Sequence, residues 1–181
     1  MYAYVTLLTS QAYLPGALVL AKSLKQTNTP FAVALLISKE GFTEDSLRIL
    51  YTAFDKVIPV DNIESVSLDN LKLLGRPDLV STFTKLHCWN PDMLPYDRIC
   101  FMDADTLVIR NIDAIFDYVA GESVVFAAAP DVGWPDCFNS GVFVTKPSLE
   151  LYEALKSYAA EHGSFDGTFF CSIHFSSTLA F

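Results

Sequence analysis

Asp103 and Asp105 stand one residue apart directly after the apolar run Ile99-Cys100-Phe101-Met102. Two carboxylates on a turning backbone present hard oxygen donors, which suit Mn²⁺ or Mg²⁺ better than a soft metal. An ion held there can bridge two phosphates and stabilise the charge that develops as a diphosphate leaves. The same triplet also fits an ordinary acidic turn, where Asp side chains hydrogen-bond their own backbone. Asn139-Ser140-Gly141, just before the apolar run Val142-Phe143-Val144, offers an amide, a hydroxyl and a glycine that let a sugar approach the backbone; it too has the composition of a simple turn. Lys85 and Arg76 are candidate phosphate partners or else solvated surface cations, and Tyr13 could stack on a base or pack at a rim. His87, between Leu86 and Cys88, reads as a packed residue rather than a catalytic one. No Ser, Cys and His constellation suggests a hydrolase, and no glycine-rich loop matches a phosphate-cradling or dinucleotide fingerprint.

These residues need elements to position them. Tyr2 to Leu8 is a β-rich run, and Pro15-Gly16 opens a segment with Ala17, Leu20, Ala21 and Leu24 at helical spacing. Phe31 to Ile37 is a second apolar run. It precedes Thr43, a plausible N-cap, with Glu44 and Asp45 in a first turn and Leu47, Leu50, Tyr51 and Phe54 expected on one face. Val57 to Val60, Ile99 to Met102, Val124 to Ala129 and Val142 to Val144 are further strand candidates, and Ser148 starts a helical pattern through Leu151, Tyr152, Leu155 and Tyr158. Asp61 to Asp78 reads as an irregular surface loop. Strands alternating with helices predict an open α/β fold, and continuous apolar strands predict a buried, largely parallel sheet. Ligands in such sheets bind beyond the carboxyl ends of the strands, where the Asp pair falls.

A chain of 181 residues, 51% hydrophobic, can bury one sizeable core, so one domain is expected. Its formal charge of -9 leaves no basic patch of the kind nucleic acid or an anionic membrane requires. An anionic nucleotide would be repelled at long range, so a site for one needs local neutralisation by a cation. Cys88, Cys100, Cys137 and Cys171 lack the spacing of structural zinc or of a disulfide framework, which fits a reducing compartment. The N-terminus has no basic region before its apolar run, and polar residues interrupt that run, so no secretory signal is expected.

Longer stretches carry a resemblance. Phe101-Met102-Asp103-Ala104-Asp105-Thr106-Leu107-Val108 and the segment from Gly133-Trp134-Pro135-Asp136 through Cys137-Phe138-Asn139-Ser140-Gly141 to Val144 closely resemble the glycogenin family within glycosyltransferase family eight. Val5-Thr6-Leu7, Gly16 to Leu20, Thr84 to Trp89 and Gly163 to Gly167 look like it as well, so the similarity runs from Tyr4 to about Gly167. The resemblance implies an A-type glycosyltransferase fold, a Rossmann-like open and mostly parallel sheet flanked by helices. It implies Mn²⁺, with Mg²⁺ as a substitute, UDP-glucose as donor, and retaining self-glucosylation that initiates glycogen synthesis. Glycogen synthase and a second copy as homodimer mate are the implied partners, and the cytoplasm the implied location. It assigns nucleotide contacts to Leu7, Thr9, Ser10 and Tyr13, with Ala104 acting through its backbone. Further donor contacts fall to Arg76 and Lys85, metal and diphosphate to Asp103 and Asp105, and sugar contacts to Asn139, Ser140 and Asp166. Lys85 and Asp166 are the implied catalytic residues.

Departures from the family pattern set expectations too. Ser10 stands where the family usually has asparagine, which keeps a hydrogen-bonding group but shortens its reach. After Gly167 the family's Gly-Asp-Gln-Gly continuation gives way to Thr168-Phe169-Phe170. The expectation is a glycosyltransferase domain over 1–167 and a divergent apolar tail over 168–181, as from a truncated or aberrantly spliced form that lacks the acceptor region and the third metal ligand. His174 lies too close in sequence to Asp105 to replace that ligand simply.

Overall fold

Apolar and β-branched residues from Tyr2 to Leu8 form β1, buried along nearly its whole length. A single 3-10 turn, Gln11–Tyr13, follows, its start closed by the Ser10 hydroxyl, which accepts from the Ala12 N–H at 3.3 Å. Helix α1, Leu14–Gln26, begins with Pro15 in its first turn, where the missing N–H costs nothing. It buries Ala17, Leu20, Ala21 and Leu24 against the sheet. The helix ends at Thr27, and Asn28 takes the left-handed conformation (φ 57°) that asparagine tolerates. The computed structural model describes residues 1–63, 77–132 and 138–162.

Strand β2, Ala32–Ser38, leads to α2, Glu44–Ala53, and on to β3, Lys56–Val60. Thr43 caps α2 as expected, its hydroxyl accepting from the Ser46 N–H at 3.3 Å, with Glu44 and Asp45 complementing the helix dipole. The buried stripe of α2 is Ser46 and Leu50, continued by Phe54; Tyr51, expected on that face, is exposed. Leu47 and Leu50 are spaced for the core, whereas Tyr51 lies a further 100° round the helix from Leu50. A 3-10 segment, Pro77–Trp89, precedes β4, Arg98–Met102. A second 3-10 segment, Asp113–Val119, is followed by β5 (Phe126–Pro130), β6 (Phe138–Thr145) and α3 (Leu149–His162). Of the predicted loop from Asp61 to Asp78, residues 64–76 lie outside the described residues.

The six strands form one sheet in the order β3-β2-β1-β4-β6-β5. β3, β2, β1 and β4 are mutually parallel, while β6 runs antiparallel to both β4 and β5. Five of the six strands therefore run in one direction and β6 alone is reversed, so the mostly parallel expectation holds. β6 also begins earlier than predicted: Asn139, Ser140 and Gly141 lie within the strand, not in a turn before it. A register shift against β5 between Ala128 and Pro130 accommodates them, so turn-forming residues sit in an irregular part of a strand.

Two cores cover the sheet. On one face Trp89, Phe143 and Phe101 stack in series, with ring centroids 5.1 and 5.0 Å apart, beside Phe83, Tyr152 and Leu155. On the other Tyr4, Leu8, Leu35 and Phe116 meet α1 and α2. At the amino end of β1 the Tyr4 hydroxyl donates to Asp113 Oδ1 at 2.7 Å, and Thr29 Oγ1 donates to the same atom at 2.7 Å. Asn111 Nδ2 donates to Asp113 Oδ2 at 2.7 Å. Burial alone would raise the Asp113 pKa, but the hydrogen bonds from Thr29, Asn111 and Tyr4 prevail and hold it low. Cys88 and Cys100 are buried free thiols, and burial pushes the Cys100 thiol up to about 12. Among the described residues no helix is long and apolar enough to cross a membrane.

Candidate functional site

The chain leaves β4 at Met102 and turns at once. The Asp103 N–H donates to the Gly141 carbonyl at 2.8 Å, extending the β4–β6 ladder by one bond. The Asp103 carbonyl then accepts from the Thr106 N–H at 3.1 Å and from the Thr106 hydroxyl at 2.7 Å. Three hydrogen bonds thus fix the backbone that carries both carboxylates. Ala104, between them, is buried, while Asp105 is exposed. The first turn of α1 packs directly on this bend: a Cβ on Gly16 would come 2.5 Å from the Ala104 carbonyl oxygen.

The Asp103 carboxylate faces a cation. Lys85 Nζ lies 2.8 Å from Asp103 Oδ1 and 3.1 Å from Oδ2, and it also donates to the Ser140 carbonyl at 3.4 Å. The ammonium stands 5.1 Å from the centroid of the Phe101 ring. The Lys85 side chain is only 12% exposed against 36% for Asp103, so the ammonium is the drier partner. Burial raises the Asp103 pKa; Lys85 opposes the shift, Asp105 adds to it, and the net direction is upward.

Opposite the bend, Asn139 Oδ1 accepts from the Gly141 N–H at 2.8 Å. A Cβ on Gly141 would meet that oxygen at 2.8 Å and Asp103 Oδ2 at 3.2 Å, so the missing side chain keeps space open beside the carboxylate. The structure brings Asp103, Lys85 and Ser140 into direct contact and places Asn139 next to them. Leu7 and Thr9, both partly buried, and Ser10 lie at the carboxyl end of β1, the parallel neighbour of β4, on the same edge of the sheet. Tyr13, 49% exposed, closes the short turn before α1. Arg76 and Asp166 lie outside the described residues, as do residues 133–137 and His174.

His87 is buried, as expected of a packed residue. Its Nε2–H donates to the Asp61 carbonyl at 2.9 Å, and its Nδ1 accepts from the Tyr152 hydroxyl at 3.1 Å. Burial depresses its pKa below the usual histidine range, so the ring is neutral at neutral pH.

Asp103 and Asp105 have the right donor chemistry for Mn²⁺ or Mg²⁺. Among the described residues no cluster of three His, Cys, Asp or Glu side chains could hold an ion. Two carboxylates with an open side fit a hard cation that takes its remaining ligands from phosphate oxygens and water. Two features escaped the sequence reading. The Lys85–Asp103 pair joins residues 18 apart through tertiary structure alone. The role of Gly16 had a signal, since a glycine in a helix costs stability unless something needs the space.

The profile of glycosyl transferase family 8 matches residues 4–164. Glycogenin-1 of Mus musculus is 51% identical over 166 residues, which are 91% of this chain and 47% of that protein. Glycogenin-1 of Caenorhabditis elegans is 47% identical over 165 residues, 91% of this chain and 37% of the relative. The chain thus spans about half the length, or less, of these curated relatives. Among solved structures, the glycosyltransferase GlyE of Streptococcus pneumoniae TIGR4 superposes with a TM-score of 0.65 at 20% identity, covering 97% of this chain and 43% of that one. The galactosyltransferase LgtC, in complex with donor and acceptor sugar analogs, superposes at 0.58 with 16% identity, covering 79% of this chain and 57% of the other. These likenesses identify the fold as that of the A-type glycosyltransferases. Fold, family profile and glycogenin homologues agree, and the chain belongs to glycosyl transferase family 8.

Proposed function

We propose that this chain is the donor-binding domain of a glycogenin-type retaining glucosyltransferase that uses UDP-glucose and Mn²⁺, with Mg²⁺ as a substitute, to initiate glycogen synthesis by self-glucosylation. The observation that carries the proposal is the Asp103-Ala104-Asp105 bend at the carboxyl end of β4, hydrogen-bonded to Gly141 and faced by Lys85. Identity of 51% to a glycogenin-1 supports it. Asp103 and Asp105 would hold the metal, which when bound supplies Lewis-acid stabilisation to the departing diphosphate. Lys85 adds a positive charge from the drier side of the pocket, where a charge acts most strongly. Leu7, Thr9, Ser10 and Tyr13 would seat the nucleoside, with the Ala104 backbone beside it. Asn139 and Ser140 would orient the sugar, and Arg76 and Asp166 complete the donor contacts. The domain spans 1–167 in this proposal, 168–181 is a separate tail, and glycogen synthase, a second copy and the cytoplasm are the proposed partners and location.

A second reading is a non-catalytic fragment that binds the nucleotide sugar or glycogen synthase. It is favoured by the pairing of Lys85 with one of the only two candidate metal carboxylates at the bend. Calorimetric titration of UDP with and without Mn²⁺, followed by a radiolabelled UDP-glucose assay with the chain itself and with an added maltosaccharide, separates them. Metal-dependent binding with transfer supports the enzyme, binding without product supports the fragment, and no UDP binding by folded protein refutes both donor-site readings.

A further inference from the structure

We propose that Lys85 is a built-in counter-ion that holds the place of the metal, so that bare Mn²⁺ binds weakly and Mn²⁺ and the nucleotide diphosphate bind interdependently. The inference rests on the donor site proposed above. The other side-chain ion pairs of the described residues are solvent-bathed: Lys25–Asp55, Lys39–Asp61, Arg48–Asp45 and Lys156–Glu153 all have both partners at least 40% exposed. Lys85 differs, with a side chain 12% exposed. Its ammonium carries three donors, and two protein acceptors, Asp103 and the Ser140 carbonyl, together with the Phe101 ring lie within reach. Both Asp103 carboxylate oxygens are within 3.1 Å of that ammonium.

A divalent ion coordinated by Asp103 must therefore compete with the ammonium for the same oxygens or share them with it, and two cations sharing one carboxylate repel each other. An arriving diphosphate changes the balance. It offers Lys85 new anionic partners near its present position and supplies oxygens to the metal, so each ligand removes an obstacle to the other. Coupling of this kind is reciprocal: whatever factor UDP adds to Mn²⁺ affinity, Mn²⁺ adds to UDP affinity.

The test is Mn²⁺ binding to the full chain, followed by electron paramagnetic resonance of free Mn²⁺, without nucleotide and then with UDP. Lys85→Met, of similar reach and no charge, should bind Mn²⁺ alone at least about tenfold more tightly than the original chain, and UDP should then enhance Mn²⁺ binding less than it does in the original. Lys85→Gln, which can still donate to the Ser140 carbonyl, should behave like Lys85→Met. Lys85→Arg should retain weak binding of the bare ion. If both uncharged variants bind Mn²⁺ within about twofold of the original while Asp103→Asn abolishes binding, the counter-ion inference is wrong and the metal site stands. If Asp103→Asn binds Mn²⁺ as the original does, the ion lies elsewhere, and the metal part of the proposed function falls together with this inference.

Discussion

Replacing Gly16 with alanine puts one methyl group against the backbone of the Asp103-Ala104-Asp105 bend. The new carbon would start 2.5 Å from the Ala104 carbonyl oxygen, 3.3 Å from its carbon and 3.8 Å from Asp105 Cα. That is about 0.8 Å short of the ~3.3 Å at which carbon and oxygen normally meet. The atoms in the way are main chain, tied down by the Asp103 and Thr106 hydrogen bonds, so no rotamer change relieves the clash. Two effects of opposite sign compete. Glycine to alanine in a helix ordinarily stabilises by up to about 1 kcal/mol, whereas overpacking a fixed contact costs about 1–3 kcal/mol. A net loss of about 1–2 kcal/mol is expected, which lowers Tm by roughly 2–8 °C for a domain of this size. A displaced bend should also weaken Mn²⁺-dependent UDP binding by about tenfold or more, because both carboxylates ride on it. Thermal unfolding by circular dichroism and calorimetric titration of UDP give the two readouts. Gly121→Ala is the control, since its nearest neighbour beyond the adjacent residues is the Ser123 hydroxyl at 4.0 Å, and it should leave both unchanged. A Gly16→Ala protein as stable as the original, with unaltered UDP binding, would show that the helix–bend contact does not set the geometry of the site.

Asp103→Asn and Asp105→Asn should each reduce Mn²⁺-dependent UDP binding by more than about 100-fold, beyond the 10–100-fold typical of removing a supporting partner; exposed Asp105→Asn should leave folding stability little changed, whereas Asp103→Asn, which leaves the Lys85 charge unpaired, should cost about 1–3 kcal/mol, as measured by titration and urea unfolding. The depressed pKa of His87 gives a pH dependence of definite sign. Below the unfolded value of about 6.5 the unfolded chain takes up a proton that the native ring resists, so this contribution is complete above pH ~6.5 and declines as pH falls through that window. Urea midpoints at pH 7.5 and 5.5 should differ in that direction, and His87→Gln should flatten the difference. Tyr4→Phe leaves Asp113 one donor short and should cost about 1–2 kcal/mol. It should also raise the pH at which acid unfolding begins, because Asp113 stabilises only above its lowered native pKa.

Much of the fold could be read from local pattern. The β1–α1–β2–α2–β3 succession follows from apolar runs, the Thr43 cap and Pro15 at a helix start, all determined within a few residues. The antiparallel placement of β6 could not be read, because a short apolar run pairs equally well in either direction and only the sheet decides. Asn139-Ser140-Gly141 misled for a physical reason: their composition signals a turn, yet the shifted register against β5 lets them remain in a strand. The position of the Asp pair at the end of a buried strand was legible, because the apolar run before it forms β4. Its ion pair with Lys85 and the space left by Gly141 depend on backbones far apart in sequence, and no local signal reports them; the helical glycine at 16 signals a close contact but not its partner. The Asp113 network was missed for the same reason, since Tyr4, Thr29 and Asn111 converge on it from separate elements.

The single bond from the Asp103 N–H to the Gly141 carbonyl has a consequence for how the pocket comes into being. It closes a chain loop of nearly forty residues, and closing a loop costs entropy that only the completed β4–β6 ladder repays. A chain whose β6 has not docked keeps its carboxylates but has lost the fixed angle between them and the wall opposite. If the chain binds a metal–nucleotide as proposed, that ligand would bind the docked form alone and stabilise it by mass action. Small donor analogues would act on this fold as folding ligands, rescuing variants whose defect lies in sheet closure far from any atom the nucleotide touches.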